Sequence, residues 1–152
     1  MKLIPTASQT VGPFFAIGLA LLCQDAAKAN SPGALTISGL VTDGDGQPIP
    51  DCVLEFWTPK SFARVPTSTG GQYSVVLEAQ TGVCEVLLFM RGLLKAVYTR
   101  MYVSGAKAED DALNSVPRER RETLIAQPGN ASHQYVWNVK MQGENETVFF
   151  DY

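Results

Sequence analysis

Histidine is nearly missing from this chain: His133 is the one example in 152 residues. A single imidazole, with no Gly-x-Ser-x-Gly elbow anywhere, argues against an independent serine hydrolase. Cysteine is sparse as well. Cys23, Cys52 and Cys84 are odd in number, far apart and without a Cys-x-x-Cys pair. Neither a disulfide framework nor a zinc site is indicated, and buried free thiols in a reducing cytoplasm are expected. Concentrated positive charge is absent too: net charge is −3 and the Lys and Arg residues are scattered, which leaves no footprint for nucleic acid or an anionic membrane. The densest basic spot, Arg118, Arg120 and Arg121, sits among Glu119 and Glu122 and reads as a solvated or partner-facing charge mix. The apolar run at 14–23 is too short to span a membrane. It has the look of a secretory core, but Lys2 is the only basic residue ahead of it, Gly12-Pro13 interrupts it, and Leu22 is too large to precede a cleavage site. Export is not expected, and the expected location is cytoplasmic.

What is present is a β pattern. With 45% hydrophobic residues, the chain has material for one core and reads as a single domain, 1–152. Residues 35–42, 52–57, 63–67, 72–78, 83–89, 97–103, 122–126 and 134–141 read as strands separated by Gly/Pro turns. Asp43-Gly44-Asp45-Gly46-Gln47-Pro48 is a turn cluster in which Asp side chains bond their own backbone. It is read as a turn rather than a calcium loop, because its flanks are strands and the later carboxylate ligands are missing. One short helix, acidic at its start, is expected over 107–115. Residues 1–34, with Pro5, Gly12-Pro13 and Ser31-Pro32-Gly33, read as an extended arm with a helical turn near 23–28. Phe14, Phe15, Ile17 and Leu19 on that arm need a surface to cover them, and a partner subunit is the natural one. Residues 147–152 read as an extended tail. The expected fold is all-β: an antiparallel β-sandwich over 35–152 with an extended N-terminal arm and little helix.

The chain is organised around residues 83–103. Residues 83–89 are nearly continuously apolar, as in a strand buried on both faces or in the middle of a sandwich. In 97–103, Val97, Thr99, Met101 and Val103 alternate with Tyr98, Arg100 and Tyr102. Between the two strands stand Arg91 and Gly92. The residues alone leave two readings open: a surface Arg in a hairpin loop, or a guanidinium pointed into a cleft to grip an anion.

Phe89-Met90-Arg91-Gly92-Leu93-Leu94, followed by Tyr98-Thr99-Arg100-Met101-Tyr102, resembles the F-A-R-G-L-L…T-R-x-Y-F run of protocatechuate 3,4-dioxygenase alpha subunits. Three more blocks agree in order: Ser8-Gln9-Thr10-Val11-Gly12-Pro13-Phe14-Phe15; residues 41–51 with Leu54-Glu55-Phe56-Trp57; and the ending, residues 120–126 and 142–151. The resemblance implies an alpha-type subunit beside an iron-binding beta-type partner. That partner would hold Fe(III) with two Tyr and two His, and the pair would cleave a carboxylated catechol with O₂ to 3-carboxy-cis,cis-muconate. It also implies that Thr10, Gly12, Pro13 and Arg91 contact the substrate: Gly12 and Pro13 as a tight wall, Thr10 through its hydroxyl, Arg91 through its charge. The two iron-binding histidines of the family match Val83 and Glu85 here, and the loop that would carry a tyrosine ligand, between Trp57 and Phe62, is very short. No metal site and no catalytic residue is therefore expected in this chain alone, and His133 reads as a surface hairpin residue. Phe14 and Ala16 stand where the family has Tyr or His. Material is also absent after Trp57 and between Glu78 and Val83, where the family's loops partly cover the pocket and subunit interface. Residues 37–42 with 46–51 also resemble transthyretin-like sandwich modules, which bind or connect without catalysing; such modules would not need the arm at 10–15 or the tail at 147–151.

Overall fold

The alternation at 97–103 sets the architecture. The structure, a computed structural model, describes residues 4–79, 81–106 and 110–151. Nine strands lie in one sheet among the described residues: β1 (Leu35–Thr42), β2 (Val53–Trp57), β3 (Phe62–Pro66), β4 (Gln72–Leu77), β5 (Val83–Phe89), β6 (Val97–Val103), β7 (Ile125–Pro128), β8 (Gln134–Val136) and β9 (Val139–Lys140). Their order is β3-β2-β5-β6-β7-β8-β1-β4, with β9 added to β1. Thr99, Met101 and Val103 of β6 are buried inward beside Cys84, Val86 and Leu88 of β5, and Tyr98, Arg100 and Tyr102 face outward, as the alternation requires. The inward faces of most strands meet in one core, where Ile37, Leu54, Phe56, Val86, Met101 and Trp137 are among the residues removed from water. Each such side chain is worth about 1.5–3 kcal/mol of burial.

The expected antiparallel sandwich is corrected to a mixed, curled sheet of half-barrel form. β1 pairs in parallel with β8 and β9, and β6 in parallel with β7. A parallel neighbour needs a crossover, and the segment after β6 supplies it. Helix α2 (Asp111–Ser115) and a 3₁₀ stretch (Arg118–Leu124) return the chain to the side of β6, packing Val116 and Leu124 on Tyr102 in a second small core. The strand expected at 122–126 is thus 3₁₀ through Leu124 and extended only from Ile125. Arg120 and Arg121 explain the tight coil: they donate to the carbonyls of Glu146, Val116 and Asn114, so two of the three clustered arginines are internal braces. The helix expected at 107–115 is present from Asp111, with Asp110 as its N-cap; residues 107–109 lie outside the described residues, as does 152 of the expected tail.

The strand expected at 134–141 is broken in two where Trp137 turns inward. Gly39 permits this, because the Trp137 carbonyl lies where a Cβ on residue 39 would be, and Tyr73 Oη donates to the same carbonyl at 2.7 Å. At the other turn, Asp43 Oδ1 accepts from the Asp45 and Gln47 amides at 2.9 and 2.8 Å, the backbone bonding read from the sequence.

The arm is not fully extended. Residues Pro13–Leu19 form α1 and continue as 3₁₀ over Ala20–Leu22, so helix stands before residue 23 rather than over 23–28. Gly12-Pro13 reads as an interruption, yet Pro at the first helical position starts a helix. After it, residues 24–27 run between the two ends of the curled sheet. Gln24 exchanges backbone hydrogen bonds with Arg64 of β3 at 2.9 and 2.8 Å, and the Ala26 amide and the Asp25 carboxylate engage Val76 of β4 at 2.9 and 2.7 Å.

Candidate functional site

Two neighbourhoods carry exposed chemistry. The first is the junction of arm and β5–β6 loop. Gly92, at φ 92°, shapes the loop after β5, and its amide donates to Thr10 Oγ1 at 2.8 Å. Five residues along the arm, Phe15 packs on Phe89 with ring centroids 5.4 Å apart. These two contacts pin the arm to both sides of Arg91, so residues 82 and 74 positions apart in the chain share one locality. Gly12 is the N-cap of α1 and Pro13 its first residue; both are exposed. Arg91 has a side chain 54% exposed, held loosely by Asp51 at 3.7 Å. Asp51 itself sits in the left-handed region, at φ 58°. Thr10 is therefore joined to the residue after Arg91, and Gly12 and Pro13 follow it on the arm. A shallow depression of about 250 Å³ lies at this junction, lined by Val11, Phe15, Phe89, Leu93 and Leu94 among others but by none of Thr10, Gly12, Pro13 and Arg91. Phe14 and Ile17 beside it face solvent, at 79% and 64% exposure, whereas Phe15 and Leu19 are half-buried.

The second neighbourhood is the outer face of β2, β5 and β6. Residues 83–89 are not buried on both faces as expected: Val83, Leu87 and Phe89 are half-buried and Glu85 is exposed. Registry places Trp57, Glu85 and Arg100 in one row across three strands, and the next row runs Glu55, Leu87, Tyr98. A cleft of about 420 Å³ opens there, lined by Trp57, Thr58, Pro59, Val83, Glu85, Leu87 and Arg100. The connection from Trp57 to Phe62 is a four-residue turn closed by Thr58 and Ser61, which leaves the cleft uncovered on that side. On the β3 side, Arg64 donates to Glu55 Oε1 through Nε at 2.8 Å and Nη2 at 2.6 Å, and Trp57 Nε1 donates to Oε2 at 3.1 Å. On the β6 side, Arg100 donates through Nε to Tyr98 Oη at 2.9 Å and through Nη1 to Asp110 at 3.0 Å; Nη2 reaches Glu85 at 3.5 Å. The bond to Tyr98 first, against the effect of burial, holds Arg100 above its ordinary value, so it is a permanent cation. Burial, with the bond it donates to Asp110, pushes the Tyr102 phenol up to about 12. Burial alone would raise Asp110, but the Leu113 amide, Tyr102 and the Arg100 charge more than offset it and hold the carboxyl below the usual range.

Val83 and Glu85, the positions matched to the family's histidines, both line this cleft. A hydrocarbon and one carboxylate beside a guanidinium do not fit ferric iron, which calls for anionic oxygen and imidazole donors. Among the described residues no group of three or more His, Cys, Asp or Glu lies close enough to hold a metal. His133 is exposed, at φ 61°, in the turn before β8, remote in sequence from both rows. The sequence reading missed this cleft. Its signal was available in the alternation of Tyr98, Arg100 and Tyr102 opposite Glu85, but only the strand registry shows that Trp57 joins them. Cys52 and Cys84 are buried free thiols, pushed up to about 12 by burial, and Cys23 is half-buried. Among the described residues no helix is long and apolar enough to cross a membrane.

No protein-family model matches the chain. It is 37% identical to the protocatechuate 3,4-dioxygenase alpha chain of Burkholderia cepacia over 191 aligned positions that cover 96% of each chain. It is 31% identical to the protein of the same name from Pseudomonas putida over 199 positions, covering 100% of this chain and 99% of that one. These alignments are longer than the 152 residues here, so both relatives carry segments this chain lacks. In fold, the chain is similar to the dioxygenase domain of a dioxygenase–carbohydrate-binding protein fusion from Streptomyces sp. SirexAA-E. The TM-score is 0.56 at 16% identity, over 77% of this chain and 85% of that one. It is also similar to 3-chlorocatechol 1,2-dioxygenase from Rhodococcus opacus 1CP, with TM-score 0.53 and 14% identity over 91% and 67% of the two chains.

Proposed function

Because the chain belongs to the protocatechuate 3,4-dioxygenase alpha-chain family, we propose that it is the non-iron-binding subunit of an intradiol ring-cleaving dioxygenase. In this reading it contributes pocket wall and a substrate-carboxylate contact, while a beta-type partner holds Fe(III). The observation that supports it is the Thr10–Gly92 bond at 2.8 Å, which ties the arm that carries Gly12 and Pro13 to the loop that carries Arg91. A partner that completes the pocket would also cover Phe14 and Ile17.

The residue chemistry suits a ring with a carboxylate. Arg91 offers a planar fork of N–H donors, and its present partner, Asp51, lies beyond hydrogen-bond length, so a substrate carboxylate competes with it readily. Gly12 has no other atom within 4 Å of where a Cβ would stand, leaving room for a flat ring to approach. The partner's ferric iron would activate the catecholate toward O₂. This chain's residues would hold the carboxylate, orient the ring and exclude water, with 3-carboxy-cis,cis-muconate as the expected product. Cytoplasmic location follows from the same reading.

The test is co-purification with the candidate iron-binding partner and steady-state kinetics on protocatechuate. Arg91→Ala is expected to raise KM about tenfold or more, as befits a lost charged hydrogen bond of about 1.5–3 kcal/mol. Catechol, which lacks the carboxylate, is expected to be indifferent to the change. Unaltered KM for protocatechuate in the Arg91→Ala complex would refute the assignment.

A further inference from the structure

The turn that leads from β1 into β2 is braced from inside the molecule. The buried Thr67 hydroxyl accepts from the Cys52 amide at 3.0 Å and donates to the Ile49 carbonyl at 2.9 Å, and the Thr67 amide donates to the Cys52 carbonyl at 2.7 Å. These bonds clamp the chain on both sides of Pro50-Asp51. Within the clamp Asp51 stands in the left-handed region, at φ 58°, a conformation that costs a side chain something and persists because its surroundings impose it. Glycine or asparagine would satisfy that backbone equally well and carry no charge. The turn itself therefore has no need of a carboxylate. What the carboxylate faces is the Arg91 guanidinium, at 3.7 Å. At that distance no hydrogen bond joins the two, so Asp51 sets a negative charge beside Arg91 without locking the direction of its N–H fork. Such a contact is a poor positioning device and an effective competitor. A ligand carboxylate that takes two N–H groups of the fork makes charge-assisted hydrogen bonds that Asp51 does not make, and displaces it. Once seated, that ligand still lies near the Asp51 charge, and like charges weaken its hold. A ring without a carboxylate meets neither effect.

We propose that Asp51 is a specificity-determining residue: a built-in competitor that occupies the Arg91 charge while the site is empty and limits how strongly a carboxylated ring is preferred over an uncarboxylated one. This role rests on the assignment of Arg91 to a substrate carboxylate.

Steady-state kinetics of the complex with the candidate iron-binding partner test it, with protocatechuate and catechol as substrates and Asp51→Asn beside Arg91→Ala. Asparagine keeps the size of the side chain and tolerates the left-handed backbone, so the variant folds; circular dichroism checks this. Asp51→Asn is expected to lower KM for protocatechuate about two- to fivefold, the scale of one exposed charge pair, while KM for catechol stays where it was. At about 0.5 M NaCl exposed charges are screened, and the ratio between parent and variant is expected to shrink toward one. A protocatechuate KM that is unchanged or raised in Asp51→Asn, while Arg91→Ala still raises it, overturns the role of Asp51 and leaves that of Arg91 standing. An equal fall in KM for catechol, or a gain that ignores salt, overturns it as well, because the substitution would then have reshaped the site rather than removed a charge. An unaltered KM for protocatechuate in Arg91→Ala, or the absence of an active complex, refutes the assignment of Arg91 and takes the role of Asp51 with it.

Discussion

Removing Arg64 should cost far more than removing an ordinary surface charge. Glu55 is 8% exposed, and three of its hydrogen bonds come from two side chains: two from Arg64 at 2.6 and 2.8 Å onto Oε1, one from Trp57 at 3.1 Å onto Oε2. The side chains of Arg64 and Glu55 are 19% and 10% exposed, so water screens the pair poorly. Exposed ion pairs contribute about 0–1 kcal/mol, whereas stripping one partner from a buried pair costs about 3–5 kcal/mol because the other charge is stranded. Arg64→Ala strands Glu55 with a single neutral donor, and it also removes the cation packed 4.9 Å from the Phe62 ring centroid. The expected loss is therefore about 3–5 kcal/mol, or a fall in Tm on the order of 10 °C for a domain of this size. Urea unfolding followed by circular dichroism and tryptophan fluorescence measures it. Adding Glu55→Gln to Arg64→Ala removes the stranded charge, and about 2 kcal/mol should return. A loss below about 1 kcal/mol for Arg64→Ala, or a double variant no more stable than Arg64→Ala alone, would refute the view that burial of Glu55 decides the energetics.

Three further outcomes are open to measurement. Asp110 is held below the usual carboxylate range and so stabilises the fold above its unfolded pKa of about 4, the benefit fading as pH falls through the lower folded value. Asp110→Ala should be about 1–2 kcal/mol less stable than the parent at pH 7, with the two converging below about pH 3; an equal gap at both pH values contradicts this. In Gly39→Ala the new Cβ would lie 1.8 Å from the Trp137 carbonyl oxygen and 2.8 Å from Tyr73 Cε1; a cost above about 3 kcal/mol and loss of near-ultraviolet dichroism are expected, and a variant within about 1 kcal/mol of the parent would show that the β1–β8 approach is softer than drawn. Thr10→Val removes the acceptor of an exposed hydrogen bond worth about 0.5–1.5 kcal/mol, so amide exchange across residues 10–22 should quicken about two- to tenfold while the global unfolding midpoint holds; unchanged exchange would mean that Phe15 on Phe89 anchors the arm alone.

The strands whose pattern is local were legible. Residues 35–42, 83–89 and 97–103 declare themselves by apolar content and alternation, and the structure gives those bounds for β1, β5 and β6. Pairing direction is not local. Alternation is identical in parallel and antiparallel ladders, so nothing near Ile37 announces a parallel neighbour at Tyr135. The 3₁₀ stretch at Arg118–Leu124 escaped for a related reason: Thr123-Leu124-Ile125-Ala126 has strand-like content, and what overrides it is the capture of distant carbonyls by Arg120 and Arg121. In the sites, motif resemblance picked out Thr10, Gly12, Pro13 and Arg91, and the structure joins the first of them to Gly92, the neighbour of the last. The row of Trp57, Glu85 and Arg100 could not be read because its members, separated by 28 and 15 positions, become neighbours only once β2, β5 and β6 are registered.

The short run at residues 24–27 has a consequence for the order in which the molecule is made. It is made ahead of its partners: the backbone groups it bonds belong to Arg64 and Val76, some 40 to 50 residues later in synthesis. Until β4 has emerged, this segment has no complete seam to join and waits beside a nascent sheet. At about 5–20 residues per second, that interval lasts seconds, long enough for a chaperone to matter. A segment synthesised 40 to 50 residues ahead of its partners must wait for them to find its place.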